Sequence, residues 1–115
     1  MILSHGTTKI EAVVQSEIAK KVVDEISKQG VGGVTLVQSL GKGAGDRPWI
    51  GGEKGHQVEF NSIDLIITVV DDSKVDSIVS SIIETAHTGE KGDGKIFISD
   101  ISEAYNISTK QKEVF

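Results

Sequence analysis

Ile63-Asp64-Leu65-Ile66-Ile67-Thr68-Val69-Val70 is a run rich in β-branched side chains, with Ile63, Leu65, Ile67 and Val69 on one face of an extended chain and Ile66 and Val70 on the other. A strand that is apolar on both sides belongs in a sheet covered on both sides. Downstream, Asp72 or Ser73 stands at a helix start, and Val75, Ile78, Val79, Ile82, Ile83 and Ala86 recur at helical spacing. Gly89, Gly92 and Gly94 then turn the chain into another strand, Lys95 to Ile101, and from Ser102 the sequence reads as a polar tail with a short turn. Upstream, Lys9 to Gln15 places Ile10, Ala12 and Val14 on one face of a first strand. Ser16 is placed to cap a helix carrying Ile18, Ala19, Val22, Val23 and Ile26, and Gly30 stands where a left-handed residue ends one. Val34 to Leu40 alternates again, whereas Gly41 to about Val58 has no period and reads as a long loop.

The order is therefore β-α-β-loop-β-α-β. Two right-handed crossovers onto one sheet face predict an α+β, ferredoxin-like βαββαβ fold (a split βαβ) with a long loop between strands two and three. Both helices then cover the same face. With no third helix for the other face, a second copy of the sheet is the expected cover, which predicts a homo-oligomer.

The chain has 115 residues, the size of one domain spanning 1–115. Twelve Lys and Arg against 17 Asp and Glu leave a net charge of −5, which argues against nucleic acid as a partner. The absence of Cys excludes disulfides, thiolate catalysis and Cys-based zinc sites. Met1-Ile2-Leu3 is too short for a signal sequence and no apolar run approaches a membrane span, so the expected location is cytoplasmic.

Chemistry is sparse. Thr88-Gly89-Glu90-Lys91-Gly92-Asp93-Gly94-Lys95 contains G-x-x-x-x-G-K, yet it runs from helix into strand and continues with Ile96, unlike a P-loop. Its closely spaced glycines and Lys95 fit an anion site. They fit equally a turn that ends one helix and starts a strand. Gly41-Lys42-Gly43-Ala44-Gly45 opens no helix and is not a dinucleotide fingerprint. It reads as the base of the loop, whose apex carries the only Arg, Arg47, and the only Trp, Trp49. These residue types favour a partner contact, the alternative being that Trp49 and Ile50 cover the sheet edge. His5, His56 and His87 share no metal-ligand spacing. Asp71-Asp72 suits a helix start better than acid–base work. With no G-x-S-x-G elbow and no placed base, the chain is not expected to be an enzyme.

Taken together, Lys9-Ile10-Glu11-Ala12-Val13-Val14, Gly33-Val34-Thr35 and Thr88-Gly89-Glu90-Lys91-Gly92-Asp93-Gly94-Lys95-Ile96-Phe97-Ile98 resemble the PII nitrogen-regulatory signalling family. The resemblance runs from about Lys9 to Thr109, and the long loop corresponds to that family's T-loop. It implies a cytoplasmic homotrimer that binds ATP or ADP in clefts between subunits, with Mg²⁺ and 2-oxoglutarate as further ligands. It also implies docking, through the T-loop, on a target such as an ammonium transporter or a metabolic enzyme, with recruitment to the membrane by the transporter. Carried over by position, Thr35 and Val69 face the adenine and Val13 lines its pocket. Gly41 and Gly43 at the loop base approach the phosphates, and Thr88, Gly92, Asp93, Gly94 and Lys95 form the phosphate cradle. Arg47 and Trp49 become candidates for target contact.

The departures are equally specific. Asn106 and Ser108 stand where the family usually carries two Arg that reach a neighbouring subunit's nucleotide. Each missing charge-assisted bond is worth roughly 1.5–3 kcal/mol, which turns the expectation towards ADP or AMP unless Lys110 or Lys112 substitutes. Ala44 and Gly45 replace the family's Arg and Gln, the latter a Mg²⁺ ligand with 2-oxoglutarate, so that either Asp46 takes the metal or 2-oxoglutarate sensing is lost. Gly41 to Val58 contains no Tyr, Ser or Thr, so no covalent switch of the loop is expected. The alternative reading is a PII-like regulator that senses AMP, bicarbonate or a cyclic dinucleotide for a different transporter.

Overall fold

The computed structural model describes residues 6–41 and 61–113. Strand β1 (Thr7–Gln15) leads into helix α1 (Ser16–Ser27), followed by β2 (Thr35–Gly41), β3 (Asn61–Asp71), helix α2 (Val75–Ala86) and β4 (Gly94–Ile101). The sheet order is β2-β3-β1-β4 with every neighbouring pair antiparallel. This is the expected ferredoxin-like βαββαβ arrangement. The loop expected from Gly41 to Val58 lies, apart from Gly41, outside the described residues.

The alternation seen in the sequence decides the faces. Ile10, Ala12 and Val14 of β1 and Ile66 and Val70 of β3 are buried under the helices, which contribute Ala19, Val22 and Ile26 from α1 and Ile78 and Ile82 from α2. The opposite face has no helix. Ile63, Leu65, Ile67 and Val69 lie there half-buried, beside exposed Val37 and Phe97. β3 is therefore apolar on both sides, as its sequence demands.

The helix ends differ from expectation. Ser16 is the first helical residue, not the cap; the N-cap position is Gln15, which makes no side-chain capping bond. The Ser16 hydroxyl instead donates to Asp64 Oδ1 (2.7 Å) and accepts from Ser62 Oγ (2.9 Å), which gives the buried Asp64 carboxylate a partner. Before α2 a single 3₁₀ turn, Asp72–Lys74, intervenes, capped by Asp71, which accepts from the Ser73 backbone N–H at 2.9 Å; α2 itself starts after Lys74, which makes no side-chain capping bond. Asp72 is occupied elsewhere: its carboxylate accepts from the Thr8 hydroxyl.

Gly30 does adopt a left-handed conformation, φ 73°, just beyond α1. Lys74 Nζ reaches back to the carbonyls of Gln29 (3.2 Å) and Gly30 (3.1 Å), placing a cation on the C-terminal end of that helix. A Cβ at Gly30 would lie 3.4 Å from this ammonium. Gly30→Ala is expected to cost about 1 kcal/mol, mostly from the backbone, read as a lower urea midpoint with an unchanged slope. An unchanged midpoint would refute it.

The polar tail is more structured than its composition suggests. Tyr105–Asn106 (β5) and Gln111–Lys112 (β6) pair as a small antiparallel hairpin.

Candidate functional site

β1 and β2 end, and β3 and β4 begin, at the same end of the sheet, so Gly41 and the turn from Thr88 to Lys95 lie at that end. The turn is held by its own acidic residue. The Asp93 carboxylate accepts from the backbone N–H groups of Thr88 (2.7 Å) and Gly89 (3.0 Å) and from the Thr88 hydroxyl (2.5 Å). Thr88 Oγ1 in turn accepts from the Glu90 N–H at 3.2 Å. Asp93 thus turns its charge inward onto donors of the same turn, as an Asx-type clasp does. Gly89, Gly92 and Gly94 have φ of 91°, 92° and 132°.

Two contacts fix this turn to β1. Gln15 Nε2 donates to the Gly92 carbonyl at 2.5 Å. Gly94 lies so close that a Cβ would meet the Val13 carbonyl oxygen at 2.0 Å, which only glycine permits. Neither contact has a sequence signature, because its partners are about 80 residues apart and share no period.

Lys95 pairs with Val13 across β1 and β4, and the strand alternation puts both on the helix-free face. Thr35 sits opposite Ile67, and Val69 lies two residues further along β3, on that same face. The candidate residues therefore form two groups. Val13, Lys95 and the Thr88–Gly94 turn lie on the β1/β4 side, whereas Thr35 and Val69 lie on the β2/β3 side. Between β2 and β4 stand three strand spacings, roughly 14 Å. Gly41 ends β2, paired with Asn61. Gly43, Arg47 and Trp49 lie outside the described residues.

Asn106 and Ser108 are on the β5–β6 hairpin, where the Asn106 side-chain oxygen accepts from the Ser108 N–H (2.9 Å) and hydroxyl (2.6 Å). Lys112 is paired with Glu103 at 3.5 Å, and Lys110 occupies a left-handed backbone position, φ 62°. Among the described residues no group of three or more His, Asp or Glu side chains is arranged to hold a metal ion. No helix among them is long and apolar enough to cross a membrane.

The Thr88, Gly89 and Glu90 amides are taken up inside the turn, so what it offers chemically is the glycine-shaped Gly92–Gly94 segment beside the exposed Lys95 ammonium, a combination suited to phosphate or another anion. The sequence profile of the family described as nitrogen regulatory protein P-II matches residues 7–111. The nitrogen regulatory protein P-II of Porphyra purpurea is 41% identical over 107 residues, spanning 88% of this chain and 91% of that protein. The nitrogen fixation nifHD region glnB-like protein 1 of Methanococcus maripaludis is 33% identical over 103 residues, spanning 88% of this chain and 93% of that protein. Among solved structures, Arabidopsis thaliana PII bound to citrate superposes with a TM-score of 0.72 at 29% identity, covering 98% of this chain and 91% of that one. A B. subtilis GlnK–ATP complex superposes with a TM-score of 0.74 at 26% identity, covering 96% of this chain and 95% of that one.

Proposed function

This chain belongs to the nitrogen regulatory protein P-II family, a family of signalling proteins rather than enzymes, and we propose that it is a trimeric, cytoplasmic sensor of adenine nucleotides. In this reading ATP or ADP lies between subunits, and the loop after β2 engages or releases a nitrogen-metabolism target. The observation that carries it is the division of the site. Val13, Lys95 and the Thr88–Gly94 turn lie on the β1/β4 half of the helix-free face and Thr35 and Val69 on the β2/β3 half. Copies packed edge to edge around a closed ring bring the two groups together, and they cover the apolar face of β3 at the same time.

The parts have distinct roles. The Gly92–Gly94 backbone and the Lys95 ammonium hold the phosphates, with Gly41 and Gly43 beside them. Val13, Thr35 and Val69 hold the base. Asp93 and Thr88 act by keeping the turn in shape, since their side chains bond each other and the turn's own amides. Signalling follows by population shift: a nucleotide that prefers one arrangement of the loop base enriches it. Arg47 and Trp49 then meet the target, an ammonium transporter at the membrane or a metabolic enzyme. Mg²⁺ and 2-oxoglutarate are candidate co-ligands, with Asp46 as the loop's metal ligand.

A second reading is favoured by the hairpin. Asn106 is occupied by its own turn and the hairpin sequence contains no Arg, so the ligand carries fewer phosphates or is a different anion. AMP, bicarbonate or a cyclic dinucleotide fits this description, with a transporter other than that for ammonium as the target.

Calorimetric titration with ATP, ADP and AMP, with and without Mg²⁺ and 2-oxoglutarate, followed in parallel by Trp49 fluorescence, tests both readings. Saturable heat accompanied by a fluorescence change is expected for ADP or ATP. Heat with AMP alone, or with bicarbonate in a separate titration, selects the second reading. The absence of heat with every adenine nucleotide overturns the first.

A further inference from the structure

Thr68 is a buried polar residue to which neither the core nor the site described above gives a role. Along β3 it shares the helix side of the sheet with Ile66 and Val70, and Ile10 of β1 stands opposite it. It is 3% exposed. A hydroxyl in such apolar surroundings is costly unless it is bonded, and that of Thr68 donates to the Gly33 carbonyl at 2.8 Å.

Gly33 lies in the connection between α1 and β2. The helix end of that connection is held by Lys74, on the carbonyls of Gln29 and Gly30. The Gln29 side chain adds two bonds to α2, donating to Ser81 Oγ at 2.5 Å and accepting from Ser77 Oγ at 2.8 Å. Val31 and Val34 pack against the core. Gly32 and Gly33 bring no side chain of their own to anchor them, and nothing lies within 4 Å of either Cβ position.

The β2–β3 ladder does not reach these glycines. It runs from the pair of Gly41 with Asn61 to the pair of Thr35 with Ile67 and stops. Continued, the same register would set Gly33 against Val69. The Thr68 hydroxyl takes hold of the Gly33 carbonyl just beyond the point where backbone pairing ends, and so fixes the start of β2 relative to Val69.

We propose that Thr68 is a positioning residue for base recognition: by holding Gly33 it sets the opening between Thr35 and Val69 before a nucleotide arrives. The inference rests on the adenine-nucleotide reading above and identifies what makes that end of the site selective. Thr68 itself does not touch the base, because Thr35 and Val69 lie on the helix-free face and Thr68 on the other. It acts through the backbone. A hydroxyl held at one place beside an apolar wall accepts a base whose edge matches it and rejects one that leaves a polar group unmet. The same groups on a loose connection adapt to either base, at a cost in affinity.

Calorimetry with ADP and GDP on three proteins tests this. The unaltered chain is expected to prefer ADP. Thr68→Val keeps the shape and removes the donor. It should bind ADP about three- to tenfold more weakly, the worth of one neutral hydrogen bond, and its preference for ADP over GDP should shrink by a similar factor. Thr68→Ser keeps the hydroxyl and should keep the preference. A purely structural role would lower the urea midpoint of Thr68→Val and, well below that midpoint, leave the ratio of the two affinities unchanged. That result overturns the inference and leaves nucleotide binding standing, as does equal affinity of the unaltered chain for ADP and GDP. A preference lost in Thr68→Ser as fully as in Thr68→Val overturns it too. An unaltered chain that binds no ADP overturns the adenine-nucleotide reading and this inference with it.

Discussion

Gly94→Ala lowers the unfolding free energy by about 2–6 kcal/mol, the sum of about 1–3 for a forbidden backbone conformation and about 1–3 for overpacking. The first contribution comes from φ 132°, which side-chain-bearing residues rarely adopt. The second comes from the Val13 carbonyl oxygen and carbon, 2.0 and 3.1 Å from the added Cβ. Both atoms are backbone in the centre of the sheet, so neither can swing aside. A domain of this size is stable by only about 5–15 kcal/mol, so the variant is expected to be partly unfolded or to lose most of its urea midpoint. Gly32→Ala is the control. Nothing lies within 4 Å of its Cβ position and its φ is not in the left-handed region, so its midpoint should move little. Equal midpoints for the two variants would sink the argument that Gly94 is held by its approach to β1.

Lys95→Ala is expected to weaken the binding of ADP or ATP by about 10- to 100-fold, the equivalent of one charge-assisted hydrogen bond at about 1.5–3 kcal/mol. Its stability should stay unchanged, because Lys95 is exposed. Lys91 lies on the same turn, also exposed, and tests whether net charge alone explains the loss. Lys91→Ala should reduce affinity only a few-fold and in a salt-dependent way. If the two variants lose affinity equally, the specific placement of Lys95 beside Val13 is wrong, even where nucleotide binding itself is intact.

Much of the fold could be read from the chain because it rests on local period. Ile10, Ala12 and Val14 alternate, Ala19, Val22 and Ile26 recur at helical spacing, and all are buried. Gly30 could be placed from its position after the helix. What escaped the sequence is contact between polar groups distant along it. Ser16 looks like a cap, and becomes one link in a Ser62–Ser16–Asp64 chain only when β3 lies beside α1. Asp71, Asp72 and Ser73 are all competent caps, and the choice falls on Asp71 because Thr8 claims Asp72. Asp93 reads as a ligand residue in a glycine-rich segment, yet its carboxylate faces Thr88 and Gly89. The hairpin at 105–112 was hidden by its two-residue strands, which are too short to show alternation.

The strand order has a consequence for how the chain is made. β1 and β2 are not neighbours; β3 lies between them, just as β1 lies between β3 and β4. A nascent polypeptide that has emerged only as far as Gly41 therefore possesses two strands and a helix but no pair of strands in register. Pairing begins when β3 leaves the ribosome, and β1 gains its second neighbour only with Gly94–Ile101, where Thr7 meets Ile101. Such long-range closure is slow compared with helix or hairpin formation. Until it happens one edge of β1 stands unpaired, and β4 is the strand whose arrival closes it.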